Sequence, residues 1–330
     1  MIERQNVKLQ ILVPQYNETD AVVKTLLDSI ATQQGIDFNE VGVLIANDGS
    51  NVLLSDHLLK SYPFKIQYFL DEHRGVSATR NALLDRATAD YVMFCDADDM
   101  FCYVCGLHII FKEIDGIHFD TLSSVFLEET KNPETGESVF LKHENDSTFV
   151  HGKVHRLGYL RDQNIRWDIS LTCHEDGYFN TLCQNLTENK RYCPITFYLW
   201  RWRDDSVCRT EKHFTMRTYA KLLDSNTALI RELIKRHRFD AAAVFSTGMI
   251  YSTYYTVQLP EWQTEKGKQY KAAAEKRFAE YYREFHELSD SLDREATLQI
   301  VSKMRNRHFD DGLILENITF NDWIKEVIKK

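Results

Sequence analysis

Three stretches of the chain carry residues whose types and spacing could do chemistry. In Tyr91-Val-Met-Phe-Cys-Asp-Ala-Asp-Asp99 an apolar run of strand length ends in three carboxylates. Alternation along an extended backbone sends Asp96 and Asp98 to the same side. Two convergent carboxylates suit a hard divalent cation, Mg2+ or Mn2+, which takes few protein oxygens and completes its shell with substrate phosphates. The plainer reading is an acidic turn that caps the next helix. In Glu72-His-Arg-Gly-Val-Ser-Ala-Thr-Arg-Asn81, Gly75 permits close backbone approach while Arg74 and Arg80 flank a helix start. Arginines so placed suit a phosphate or a nucleobase edge, against the simpler view of a solvated helix surface. His174-Glu-Asp-Gly-Tyr-Phe-Asn180 leads a carboxylate pair into a helix. A carboxylate there could accept a hydroxyl proton if the fold brings it near the metal; otherwise the pair offsets the helix dipole.

The elements that must position these stretches follow from periodicity. Strand-length apolar runs Leu9–Val13, Val41–Ala46, Ile66–Leu70 and Tyr91–Cys95 alternate with helical segments Asp20–Gln34, Val52–Ser61 and Val76–Ala89. This β-α-β-α-β-α-β order predicts an α/β fold, a mostly parallel sheet flanked by helices. Ligands of such sheets bind at the carboxyl ends of the strands, which is where the three stretches and the loops Pro14–Glu18 and Asn47–Ser50 fall. Ser123–Glu128 and Ser138–Lys142 read as two further strands around the turn Asn132–Gly136. From about residue 216 the pattern is helical, with segments 219–238, 241–258, 268–288, 294–304 and 321–328. The reading is therefore an α/β domain over 1–215 that holds all three stretches, followed by a helical region over 216–330 that serves packing, oligomerisation or the binding of a large partner.

Composition narrows the classes. The 330 residues carry a formal net charge of −9, and the acid excess lies within the first 215. No domain is strongly basic, so nucleic acid is disfavoured as a bulk electrostatic partner. Seven cysteines match no disulfide framework and no four-ligand zinc spacing, which reads as reduced thiols in the cytoplasm. The start has no secretory character, and the charge-free run 241–258 holds too many hydroxyl groups for a membrane span. The expected location is cytoplasmic, at most peripheral at the inner face of a membrane. Gly-x-Gly-x-x-Gly, the P-loop, Gly-x-Ser-x-Gly and His-Glu-x-x-His are all missing, so the chemistry must rest on carboxylates and metal.

Taken in order, these pieces resemble the inverting nucleotide-sugar glycosyltransferases of the family-two type, which have the Rossmann-like GT-A fold. The resemblance spans about residues 8–209 and is carried by Val13-Pro-Gln-Tyr-Asn-Glu18, Ala46-Asn-Asp-Gly-Ser50, Arg74-Gly-Val-Ser-Ala-Thr-Arg-Asn81, Phe94-Cys-Asp-Ala-Asp-Asp99, His151-Gly-Lys-Val-His-Arg156, His174-Glu-Asp-Gly177 and Tyr198-Leu-Trp-Arg-Trp-Arg-Asp-Asp-Ser206. It implies that Pro14, Tyr16, Glu18 and Asp48 cradle a base and ribose, and that Arg80, Arg74 and Lys153 approach the base or diphosphate. It implies Asp98 as the direct ligand of Mn2+ or Mg2+, with Asp96 facing the ribose or completing the metal site, and Asp176 as the base. His174, Glu175, Trp200 and Trp202 would shape the sugar or acceptor pocket. The donor implied is a UDP-sugar and the acceptor a glycan, lipid-linked or other hydroxyl compound. Two positions depart from the pattern: Asn47 stands where an aspartate is common, and Val52 where another often follows.

Two rivals exist. An aspartate-nucleophile phosphohydrolase also opens with Asp-x-Asp after an apolar strand, but normally at its first strand. A non-catalytic scaffold could keep the nucleotide pocket and use the helical region as its interaction surface; with catalysis retained, that region could instead form a homo-oligomer or dock a large acceptor.

Overall fold

Leu9–Gln15 (β1), Val41–Asp48 (β2) and Tyr91–Phe94 (β4) are buried along nearly their whole lengths, the state that continuous apolar runs of strand length demand. Lys65–Asp71 (β3) alternates between exposed and half-buried residues and lies at one end of the sheet. The computed structural model describes residues 7–204, 214–310, 312–313 and 318–329. The chain divides into two units, Met1–Ser206 and Val207–Lys330.

In the first unit β3, β2, β1 and β4 are parallel neighbours. Asp20–Ala31 (α1), Asp56–Leu59 (α2) and Val76–Arg86 (α3) connect them. Beyond β4 the sheet becomes mixed. Met100–Phe101 (β5), Thr121–Lys131 (β6), Ser138–His143 (β7), Lys153–Arg156 (β8) and Lys190–Trp200 (β9) complete the order β3-β2-β1-β4-β8-β6-β9-β5, with β7 hairpinned on β6. The β4–β8, β8–β6 and β9–β5 pairs are antiparallel and β6–β9 is parallel. The sheet is thus less parallel than its first half implies. Three helices, Gly106–Gly116 (α4), Leu157–Asp162 (α5) and Glu175–Asn185 (α6), fill the later connections. The core gathers Ile11, Val13, Leu26, Leu27, Val43, Met93, Leu107, Phe126 and Phe197, all inaccessible to solvent.

α2 is much shorter than the expected 52–61. Asn47 and Gln15 donate side-chain hydrogen bonds to the Val52 carbonyl at 3.2 and 3.1 Å, and the Tyr68 hydroxyl accepts from Leu54 N–H at 3.3 Å. These bonds hold 52–54 in loop form, and the helix begins only where the Ser55 side chain caps Leu58 N–H.

The second unit consists of the helices Phe214–Lys235, Phe239–Thr256, Glu265–Asp290, Arg294–Asp310 and Phe320–Ile328, joined in part by a short 3-10 turn at Pro260–Gln263. Leu223, Ile230, Tyr254, Trp262, Phe278, Tyr281 and Trp323 are its buried centre. The hydroxyl-rich run 241–258 is a packed helix. Ser246 donates to the Phe285 carbonyl at 3.1 Å and Thr247 to the Ala243 carbonyl at 2.9 Å, which satisfies polar groups that burial would otherwise penalise. Among the described residues no helix is long and apolar enough to cross a membrane.

Candidate active site

β4 ends at Phe94, and the next residues do not continue as extended backbone. Asp99 N–H bonds back to the Asp96 carbonyl at 3.2 Å, closing a turn. The alternation argument for Asp96 and Asp98 therefore fails here, and the three carboxylates take different partners. Asp96 accepts from Arg80 Nη2 at 3.0 Å. Asp98 meets Arg203 Nη1 at 3.2 Å, and its carbonyl accepts from Arg201 Nη1 at 3.2 Å. Asp99 is wholly buried and accepts from the Tyr198 hydroxyl at 2.6 Å and from Arg201 N–H at 3.0 Å. Burial, together with the neighbouring charges of Asp98 and Asp96, pushes its carboxyl well up. Asp98 is raised for the same leading reason, with Arg203 opposing.

Arg80, on α3, is the hub. Its Nη1 donates to Asp176 at 2.8 Å and to Glu175 at 3.1 Å while Nη2 holds Asp96. The side chain is only 4% exposed. Burial opposes its charge, but Asp176, Asp96 and Glu175 outweigh that and hold it protonated. The guanidinium lies over the Trp167 ring, 4.4 Å from its centroid, and Trp167 stacks on Phe179 of α6 at 4.2 Å. Asn81 fixes that indole's backbone by accepting from Trp167 N–H at 3.0 Å and donating to its carbonyl at 2.8 Å. The Arg80-Asn81 dipeptide thus places one residue on the carboxylates and the next on the ring that supports it. α6 starts directly after His174, whose φ of 61° turns the chain sharply so that Glu175 and Asp176 face Arg80. The Asp176 carboxyl is pushed up to about 7: burial dominates, Arg80 opposes it, and Glu175 and Asp96 add to it.

A second group lines the ends of β1 and β2. Asp48 accepts from Arg74 N–H at 2.8 Å and Gly75 N–H at 3.0 Å, and His73 Nδ1 lies 3.0 Å from it. Gly49, at φ 71°, is required by close approach, since a Cβ there would sit 2.4 Å from the His73 nitrogen. The His73 ring stacks on Tyr16 at 4.7 Å, and both are exposed. Glu18 accepts from Tyr16 N–H at 2.6 Å, and burial raises its carboxyl. Pro14 is half-buried beside Ala46. Asn47 explains its departure from aspartate. Its amide donates to the Ser50 and Val52 carbonyls and the Tyr68 hydroxyl, while its oxygen accepts from Ser50 N–H at 2.7 Å. A carboxylate could make neither of the two bonds to carbonyl oxygens.

Other expected site residues lie apart from these groups or are otherwise engaged. Lys153 is buried against Asp146 at 3.1 Å and the Phe149 carbonyl, and burial lowers its ammonium despite Asp146 and Asp176. The Arg74 residue is exposed. Trp200 packs on His151 and Phe149 at 5.1 and 5.4 Å, and the Trp202 indole donates to Asp204 at 2.9 Å. Asp205 and Ser206 fall outside the described residues.

Asp96 and Asp98 offer hard oxygens suited to Mg2+ or Mn2+. A ligand atom from each of Asp96, Asp99 and His151 also lies within 4.8 Å of the others. His151 Nδ1 is buried without a hydrogen-bond partner, 3.7 Å from Asp99 Oδ2, and burial holds the imidazole neutral by lowering it to about 3. Neutral imidazole nitrogen and carboxylate oxygen are both metal donors, so the residues present fit a divalent ion. His151, Asp99, Trp167 and Arg203 were not singled out from sequence. Only long-range packing gives them a role, although His151, Asp99 and Arg203 stand inside quoted motifs.

Comparison with known proteins gives a consistent picture. The family described as Glycosyl transferase family 2 matches residues 10–102. The chain is 28% identical over 232 residues to the glycosyltransferase GlyA of Streptococcus pneumoniae serotype 4, covering 62% of this chain and 32% of the relative. It thus spans about a third of that protein's length. TarS residues 1–349 of S. aureus, solved in complex with UDP-GlcNAc, superpose with a TM-score of 0.62 at 17% identity, covering 98% of this chain and 90% of that one. The mannosyltransferase PcManGT of Pyrobaculum calidifontis, in complex with GDP-Man and Mn2+, reaches 0.51 at 14% identity, covering 97% and 84%.

Proposed function

We propose that the chain, whose residues 10–102 match Glycosyl transferase family 2 and whose fold is GT-A-like, moves a sugar from a nucleotide-sugar, a UDP-sugar, to an acceptor hydroxyl with inversion at the anomeric carbon. One observation carries the reading: Arg80 joins Asp96, from the turn after β4, to Asp176 at the start of α6. A carboxylate of the metal type and a candidate base thereby share one cation, eighty residues apart in sequence.

In this reading Asp48, with Pro14, Tyr16 and Glu18 around it, takes the base and ribose. Asp98 and Asp96 would hold a Mg2+ or Mn2+ ion, which when bound supplies neutralisation of charge on the leaving diphosphate. Asp176 takes the proton of the attacking hydroxyl, a contribution of about 10²–10⁴ in rate. A carboxyl poised near 7 is suited to that task, because it is ionised in part at neutral pH and still basic. Arg80 serves by fixing Asp176 and Asp96 and not by reaching the diphosphate. Glu175 and His174 border the acceptor side, and Trp200 and Trp202 are assigned to the sugar or acceptor pocket. The acceptor is a glycan, a lipid-linked glycan or another hydroxyl compound, met in the cytoplasm or at the inner face of a membrane. The helical unit is assigned to packing, self-association or acceptor docking.

The test is Asp176→Asn, assayed for sugar transfer and, by calorimetry, for nucleotide-sugar binding. The expected result is retained binding with transfer reduced at least a hundredfold. Transfer near the unmodified rate would remove Asp176 from the role.

A further inference from the structure

Two groups of carboxylates meet at the Asp96–Asp99 turn, and a different arginine answers each. Arg80, buried, serves Asp96, Glu175 and Asp176. Arg203 serves the other group, with Nη1 3.2 Å from Asp98 Oδ2 and 3.8 Å from Glu18 Oε1. The strand end that carries Arg203 is tied down. Arg201 N–H donates to Asp99 and Arg201 Nη1 to the Asp98 carbonyl, and Trp202 N–H donates to Glu129 at 3.0 Å. Bonds from the two preceding residues therefore aim Arg203 at Asp98. The pair is open to solvent, with Asp98 32% and Arg203 24% exposed, whereas Arg80 is closed off.

We propose that Arg203 is an internal cation for Asp98 that competes with the divalent ion of the proposed reaction for this carboxylate. A bound ion would bring a second positive charge onto the carboxylate that Arg203 already holds through Oδ2. Two cations also cannot share it without strong repulsion. Arg203 thus keeps Asp98 and Glu18 partly neutralised when no metal is bound, and it weakens metal binding in proportion. The inference rests on the metal reading given above.

The test is titration of Mn2+ alone, without nucleotide, into the full chain, following free Mn2+ by electron paramagnetic resonance. Arg203→Gln is expected to bind Mn2+ about tenfold more tightly than the unmodified protein, Arg203→Lys to stay close to it, and Asp98→Asn to lose most binding. If Arg203→Gln fails to fold, Arg203→Met removes the same charge and is read in its place. Unchanged or weaker Mn2+ binding in the charge-removing variant, with binding still lost in Asp98→Asn, would overturn the Arg203 assignment and leave the metal reading standing. Full Mn2+ binding by Asp98→Asn would overturn the metal reading itself, and no binding by any of these proteins would overturn both.

Discussion

Asp96 and Asp176 are held by the two terminal nitrogens of one guanidinium, Arg80, at 3.0 and 2.8 Å. Neither carboxylate touches bulk water as freely as a surface acid, and each is oriented by the same buried charge. The geometry at one end of the proposed site is therefore coupled to the geometry at the other.

Removal of Arg80 should be costly. Arg80→Ala leaves Glu175, Asp176 and Asp96 close together without their cation and takes away the group stacked on Trp167. Truncating one partner of a buried ion pair costs about 3–5 kcal/mol, and partial exposure of the carboxylates places the expected loss near the lower end. Urea unfolding measures it. Arg80→Lys keeps the charge but cannot reach three carboxylates with a planar fork, so it should recover only part of the stability.

Asp176 predicts a pH dependence. Its carboxyl titrates at about 7 in the fold against 3.8 ordinarily, so between those values the folded state binds the extra proton. Its contribution to stability is fully present below the ordinary value and is lost as pH rises through about 7. Catalysis runs the other way, since the proton acceptor must be ionised. Transfer should rise with pH along a limb centred near 7. A kcat/KM profile flat from pH 5 to 8 would contradict the assignment, and Asp176→Asn should flatten the matching slope in stability.

The parallel half of the sheet was legible because β1, β2 and β4 are buried on both faces and so read as unbroken apolar runs. β5 and β8 were not, since strands of two and four residues are defined by their partners rather than by their own pattern. α4 buries Leu107, Ile110 and Phe111 on one helical face but its N-cap residue makes no side-chain capping bond to mark its start, and α2 is shorter than its periodicity implies because side-chain bonds to the Val52 carbonyl carry no periodic signal. In the site, Asp96, Asp98 and Asp176 stood out as acids at strand and helix ends. Arg203 and His151 gain their meaning from Asp98 and Asp99, partners some fifty to a hundred residues away.

Metal removal gives a third prediction. EDTA should suppress transfer, with activity restored by Mn2+ or Mg2+, because charge growing on a leaving diphosphate among so many carboxylates requires a counter-cation. Rates with and without chelator, at matched ionic strength, decide it. Transfer indifferent to the chelator would remove the metal role from Asp96 and Asp98.

Asn47 gives the fourth prediction. Its amide donates to the Ser50 and Val52 carbonyls and the Tyr68 hydroxyl at 3.3, 3.2 and 3.1 Å, and its oxygen accepts from Ser50 N–H. Asn47→Asp keeps that last bond and sets a buried carboxylate against two carbonyl oxygens, which it can only repel. The expected destabilisation is about 1–3 kcal/mol, read from urea unfolding. The loop from Asn47 to Ser50 also carries Asp48, whose oxygens take the Arg74 and Gly75 N–H groups. Nucleotide affinity should therefore fall alongside stability in Asn47→Asp. A loss of stability with UDP affinity unchanged by calorimetry would separate the loop's structural role from the cradle assigned to Asp48.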